Sequence, residues 1–142
     1  RSDRARVLVE GEEAARELFG AVILRPAGIY GPGRDRLIRT VLEGRPVEHG
    51  RRTNRIHEAD LARAILALLS SPAPPALLHA TDGAPALLGE VVTHLAQRLG
   101  VPAPPRTSPD PGAGTVLEAT ALHELLGELE FPDFRAGYDA ML

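Results

Sequence analysis

The sequence contains no cysteine, which excludes disulfides, thiolate metal sites and cysteine nucleophiles. It contains no lysine either, so all 16 Lys-or-Arg positions are arginine. That removes Schiff-base chemistry, an amine base and the lysine of a phosphate-binding P-loop. Tryptophan is absent and aromatic residues make up 4%. With a net charge of −3 and no recognised nucleic-acid motif, the chain is not expected to bind RNA or DNA. No apolar run reaches the roughly 18 residues that cross a bilayer, so no membrane partner is expected. No basic-then-apolar leader opens the sequence, and a reducing cytoplasm is the expectation. The chain opens on Arg1 rather than Met, which leaves room for an upstream segment.

What is present is ordinary for a globular protein: 142 residues, 44% apolar and 25% charged. The length suits one domain or a piece of a larger one, and is enough to bury a real core. Charge is unevenly spread. Residues 1–63 hold 13 Arg against 10 acids, and residues 64–142 hold 3 Arg against 9. The densest cluster is Arg34, Arg36, Arg39, Arg45, Arg51, Arg52 and Arg55, against Asp35, Glu43 and Glu48. A local positive field of this kind attracts phosphate-bearing ligands. A solvated surface with paired arginines is the plain alternative.

Helix and strand signals alternate. Residues 4–19 read as a helix with Val7, Leu8, Ala14, Ala15 and Leu18 inward and Gly20 as its stop. Ala21–Leu24 reads as a strand buried on both faces, as in a parallel sheet. Residues 25–33, rich in Pro and Gly, read as a break in regular structure. A short helix is predicted over 35–43, with Leu37, Ile38, Val41 and Leu42 inward. Short strands are predicted at 46–48 and 54–57 about a turn at 49–52. Residues 59–69 are apolar nearly all round, which predicts a buried helix. Ala76–Thr81 is a second core strand, and residues 85–99 form the clearest amphipathic helix, ended by Gly100. A proline-rich loop covers 101–114, a helix is predicted over 117–129, and Phe131, Phe134, Tyr138 and Leu142 pack a short tail. The alternation argues for an α/β protein.

Several chemistries fail on residue type. Gly31-Pro-Gly33-Arg-Asp-Arg36 follows a strand and precedes a helix, as a dinucleotide loop does. Arg36 stands where the third glycine must let the helix pack closely, so a structural turn fits better. His57-Glu58-Ala59-Asp60 lacks the second histidine of a zinc helix, and the other histidines are scattered; no metal site is expected. No G-x-S-x-G elbow exists for a serine nucleophile. A carboxylate at 58 or 60 suits a helix N-terminus instead.

Three segments in order resemble one family. Ile23-Leu-Arg-Pro-Ala-Gly-Ile-Tyr-Gly-Pro-Gly-Arg34 resembles the L-R-P-x-x-x-Y-G-P stretch of extended short-chain dehydrogenase/reductases, the NAD-dependent epimerase/dehydratase family. Asn54-Arg-Ile-His-Glu-Ala-Asp-Leu-Ala62 resembles its R-x-x-H-V-x-D-L-A segment. Leu78-His-Ala-Thr-Asp-Gly-Ala-Pro85 resembles its Y-N-V-x-D-x-x-P strand and turn. The resemblance covers essentially the whole chain but only the second half of the family's length. It implies the C-terminal part of a Rossmann-type parallel sheet with a small, mainly helical substrate-binding portion. Sheet elements would come from about 1–33 and 59–82, and the substrate portion from about 34–58 and 83–142.

The same resemblance implies NAD or NADP as cofactor of the complete enzyme, an oxidoreductase or epimerase activity, and often a homodimer through the helix at 4–19. The family's Gly-rich cofactor loop and Tyr-x-x-x-Lys pair have no counterpart here, so the chain is not expected to act alone. Pro26 and Ala27 would run beside the nicotinamide end of the cofactor. Gly28 stands where many relatives carry an Asn that touches substrate. Arg34, Arg52 and Arg55 fall where relatives bind substrate phosphates, which guanidinium forks suit. His57 would line the substrate cleft or enter the following helix. A non-catalytic module that binds an anion or a protein partner through the arginines is the alternative.

Overall fold

The computed structural model describes residues 2–142. Helix α1 (Asp3–Phe19) starts at Ser2, whose hydroxyl accepts the Ala5 N–H, and ends at Gly20 in the left-handed region (φ 60°). Strand β1 (Ile23–Pro26) pairs in parallel with β5 (Leu77–Ala80), with Ile23 opposite Leu77 and Leu24 opposite Leu78. The chain then jogs. Pro26 has no N–H to continue the ladder, the Ala27 N–H still reaches Ala80 O at 2.9 Å, and the Gly28 N–H donates to Asn54 O at 3.2 Å. Strand β2 (Gly28–Tyr30) thereby pairs in parallel with β4 (Arg55–His57). Residues 25–33, read as irregular from their Pro and Gly, thus contain a strand, because the proline only moves the chain from one partner to the next.

Helix α2 (Arg36–Leu42) follows, then β3 (Arg52–Thr53), which pairs antiparallel with β6 (Ala86–Leu87). Val47 makes only an isolated bridge to Arg106, so the strand expected at 46–48 does not form. Helix α3 (Glu58–Ser70) runs between β4 and β5. Helix α4 (Leu88–Leu99) ends at Gly100, again left-handed. Helix α5 (Thr120–Leu126) is shorter than the helix expected over 117–129, since the Asn54 side chain holds residues 115–117 in an extended path. Helix α6 (Phe134–Asp139) closes the chain, capped by the Asp133 carboxylate on the Ala136 N–H at 2.8 Å.

Two apolar cores result. One gathers Tyr30, Val41, Val47, Val91, Val92, Leu95, Phe134 and Tyr138 between α2, α4 and α6. The other gathers Ile56, Ala64, Leu78, Leu122 and Leu129 under α3 and α5. Leu42 faces outward rather than into the first core, and Leu142 is also exposed.

The outer helices depart from their sequence reading. Helix α1 buries no residue, and Leu18 is 73% exposed. It is held to β1 by Arg25, whose Nε donates to Glu12 Oε1 at 3.1 Å. Helix α3 buries only Asp60 and Ala64, while Leu66 is 64% and Leu69 79% exposed. The inward faces expected from apolar patterning are instead exposed, and nothing within residues 2–142 covers them.

Asp60 anchors the tail to α3. Fully buried, it accepts the Glu130 and Phe131 N–H groups, each at 2.9 Å, and the Arg63 guanidinium at 2.9 Å. Asp60→Ala leaves two N–H donors without an acceptor and should cost about 3 kcal/mol in urea unfolding. A loss below about 1 kcal/mol would show that the tail is held by its apolar packing alone.

Candidate functional site: an arginine-lined cleft

Residues 36, 39, 40 and 43 share one face of α2 by helical spacing. That face, with Arg45, Pro46, Val47, Arg51 and Leu88, lines a cleft of about 790 Å³. Its walls therefore carry four guanidinium groups over a floor of Leu37, Val47 and Leu88. Arg39 pairs with Asp35 at 3.3 Å, Arg51 with Glu48 at 3.6 Å and Arg45 with Glu43. Arg36 has no carboxylate partner among the described residues. The Arg39 and Arg45 pairs are solvent-exposed and weak, so an incoming anion can take over those arginines at small cost, whereas Glu48 Oε2, which faces Arg51, is buried without a hydrogen-bond partner.

The residues singled out in the sequence do not converge on one point. Arg34 sits in the turn after β2, its N–H donating to Gly31 O at 2.8 Å. Arg52 turns away from the cleft, and its Nη1 donates to Gly112 O at 3.2 Å. A smaller recess lies between Arg51–Asn54 and Gly114–Thr115. Arg55 is 5% exposed, with Nη2 donating to Thr53 Oγ1 at 2.7 Å and the guanidinium 5.8 Å from the Phe134 ring centroid. It is a buried cation and does not line the cleft. His57 caps α3: its Nδ1 accepts the Ala59 N–H at 3.0 Å, and its ring stacks on Phe131 at 3.9 Å. Of the predicted arginine cluster, Arg36, Arg39, Arg45 and Arg51 share the cleft. The i, i+3 spacing of Arg36 and Arg39 was the sequence signal for that grouping.

Pro26, Ala27 and Gly28 lie at the carboxyl ends of parallel β1 and β5, where α/β sheets bind nucleotides. Pro26 has no N–H and that of Ala27 is spent on Ala80, so carbonyl oxygens are what this edge offers. A side chain at Gly28 would crowd Asn54 O, 3.2 Å from its Cβ.

A buried polar group after β5 went unread in the sequence. Asp82, at the end of β5, accepts the Ala84 N–H at 2.8 Å through Oδ1, while Oδ2 has no partner. Arg55 Nη1 is likewise buried without a partner. Burial pushes the Asp82 carboxyl up to about 6, opposed in part by the Ala84 N–H and the Arg55 charge. Burial also raises both tyrosines, Tyr30 and Tyr138, whose rings stack at 4.5 Å. Buried phenols held protonated do not serve as bases. Among the described residues, no group of three or more His, Asp or Glu side chains could hold a metal ion.

The parallel strand pairs, their covering helices and the ligand-type edge define an α/β protein of Rossmann-like architecture. Over 99% of its length the chain matches a structure from Methylobacillus flagellatus, provisionally assigned as an NAD-dependent epimerase/dehydratase, at 30% identity and TM-score 0.83. It matches a functionally unknown conserved protein from Silicibacter pomeroyi at 26% identity and TM-score 0.84, again over 99% of this chain. MoeE5, solved with UDP-glucose and NAD, matches 83% of the chain at 26% identity and TM-score 0.67. The chain spans 53%, 56% and 44% of these three structures, about half of each. Its fold is that of NAD-dependent epimerase/dehydratases, consistent with a C-terminal portion of that family. No family model and no curated protein matches the sequence.

Asp82 gives a pH signature. Its carboxyl is raised from 3.8 to about 6 in the folded chain, so the folded state holds the proton more tightly than the unfolded one. The stability this contributes is full below about pH 4 and lost as pH rises through about 6. Asp82→Asn should therefore gain about 2 kcal/mol on the parent between about pH 4 and pH 8, by urea unfolding across that range. A difference that does not vary with pH would contradict the burial of an uncompensated carboxylate.

Proposed function

We propose that this chain is the substrate-binding portion of an NAD-dependent epimerase/dehydratase-like oxidoreductase. The cleft lined by Arg36, Arg39, Arg45 and Arg51 takes the anionic part of a small substrate. The observation that carries this reading is that cleft, in which four arginines surround an apolar floor. MoeE5, which shares the fold, binds UDP-glucose and NAD, and its ligand set supports both a phosphate-bearing substrate and NAD here.

In this reading the segments have separate tasks. Residues 23–30, 55–57 and 77–80 carry the parallel strands, and residues 36–51 with Leu88 carry the cleft wall. NAD, when bound, supplies a hydride acceptor and donor. The Pro26–Ala27 edge would lie along it through carbonyl oxygens, and Gly28 keeps that edge free of side chain. The cleft orients the substrate by its charge, and the apolar floor excludes water from its body. Proton transfer needs a group other than Tyr30 or Tyr138, since both are buried in the core. A nearly enclosed Arg55 holds Thr53, and so β3, in place rather than touching substrate.

A second copy of the chain would cover α1. Its exposed stripe Val7, Gly11, Ala14 and Leu18 runs large, small, small, large, with the same spacing in either direction. In an antiparallel pair Val7 meets Leu18 and Gly11 meets Ala14, and the small central residues allow close approach. Nothing in the fold crowds Gly11 within 4 Å.

Calorimetric titration with inorganic pyrophosphate tests the cleft. Arg36→Glu with Arg51→Glu should weaken binding at least about ten-fold, with a steep salt dependence in the parent. Unchanged affinity would remove the cleft from the account. Sedimentation equilibrium tests the pairing: the parent runs at twice the chain mass and Leu18→Glu at the chain mass. A parent that stays monomeric at high concentration contradicts it.

A further inference from the structure

Residues 106–117 lie as a strap along residues 47–54. The Val47 carbonyl accepts the Thr107 N–H at 3.0 Å. The Gly50 N–H donates to both carboxylate oxygens of Asp110, at 3.2 and 3.1 Å. The Arg52 N–H donates to Ala113 O at 2.7 Å, and Arg52 Nη1 donates to Gly112 O. Asn54 closes the series, Nδ2 donating to Thr115 O at 2.6 Å and Oδ1 accepting the Leu117 N–H at 2.9 Å. The two segments run side by side in the same direction. Arg51 lines both the cleft and the recess beneath the strap.

The donors that the strap occupies are the kind an anion uses. A backbone N–H at Gly50 and a guanidinium at Arg52 stand next to Arg51, and an aspartate carboxylate sits on the first of them. We propose that the strap is an autoinhibitory element in which Asp110 fills, at the Glu48–Arg52 turn, the place of an acidic group of the ligand. Binding then lifts the strap and hands the Gly50 and Arg52 donors to the ligand. Although partial burial works against it, the Gly50 N–H and Arg106 hold the Asp110 carboxyl below the usual range, so it sits there ionised. Arg106 pairs with Asp110 at 2.8 Å and is itself exposed, so the strap carries a cation that can follow its carboxylate off the turn.

The strap contains no helix or strand of its own, and only hydrogen bonds to residues 47–54 tie it down, each individually weak. Gly112 (φ 66°) and Gly114 (φ 101°) give it two left-handed pivots. At Gly114 the fit is close: a Cβ there would stand 2.1 Å from Arg52 O. Gly114→Ala therefore pushes the strap off the Arg52 backbone while changing neither Asp110 nor any arginine side chain.

This inference rests on the reading that the arginine-lined turn receives an anion, and the experiment separates the two. Pyrophosphate is titrated into the parent chain, Asp110→Ala and Gly114→Ala, with thermal unfolding to confirm that each variant is folded. Both variants should bind at least about five-fold more tightly than the parent. In the parent, saturating pyrophosphate should speed hydrogen exchange at the Thr107 and Leu117 amides, a readout that needs no variant. Binding by the parent that Arg51→Glu weakens, but that Asp110→Ala leaves equal or weaker with no change in exchange, overturns the strap and keeps the cleft. Absence of binding in all three overturns both. Binding by the variants alone supports both, with the strap as the stronger competitor.

Discussion

The fold turns on two parallel strand pairs joined by a jog at Pro26–Gly28. β1 pairs with β5 and β2 with β4, so one short segment reads two partners in turn. The Ala27 N–H holds Ala80 O, the Gly28 N–H holds Asn54 O, and the Asp82 N–H holds Arg55 O at 2.8 Å. Parallel pairing forces the connecting helix α3 to cross over from β4 to β5. It also sets the carboxyl ends of β1 and β5 beside each other. From that edge the chain feeds α2 on one side and β6 and α4 on the other. The cleft lies where those elements meet, so its position follows from the strand order.

The same arrangement explains why the structure is covered on some faces and bare on others. α4 meets α2 and α6 over a continuous core, and α5 meets α3 and β5. α1 and the outer face of α3 carry leucines with no neighbour. Parallel sheets are stable with both faces covered, and two pairs of strands flanked by bare helices form an incomplete version of that layering. The match to about half of each related structure agrees with this. Charge is distributed by the same logic. Arginines gather where the edge opens, while Arg55 and Asp82 are drawn into the interior. There they leave two buried atoms, Nη1 and Oδ2, without partners.

Much of this was legible in the sequence, for identifiable reasons. Alternating helix and strand signals gave the α/β class, and helical spacing over 85–99 with Gly100 gave the end of α4, although Ala86–Leu87 pairs with β3 as β6 and the helix starts only at Leu88. The motif order placed Ile23 and Leu78 on neighbouring strands, where the structure has them. The β2 strand was not legible, because Pro26 and Gly28 break local propensity while a remote partner, β4, supplies the ladder. Burial of α1 and α3 was misread for a different reason. Apolar periodicity shows that a face avoids water, and cannot show whether its cover lies in the same 142 residues. The grouping of arginines was half legible. Proximity in sequence suggested a cluster, but only the tertiary path sends Arg55 inward, turns Arg52 to Gly112 and leaves Arg36 and Arg51 facing one cleft. The carboxylate of Asp110 on Gly50 joins residues too far apart in sequence for any local pattern to announce it.

On the function proposed above, these residues supply a substrate wall and one edge of a cofactor site, and the glycine-rich cradle that grips a dinucleotide is not among them. Fluorescence titration of NADH into the purified chain tests it most directly. No saturable binding is expected below about 100 µM, which corresponds to binding weaker than about −5 kcal/mol. A submicromolar dissociation constant would contradict it, because carbonyl oxygens at Pro26 and Ala27 alone give no means of holding a pyrophosphate-linked cofactor that tightly.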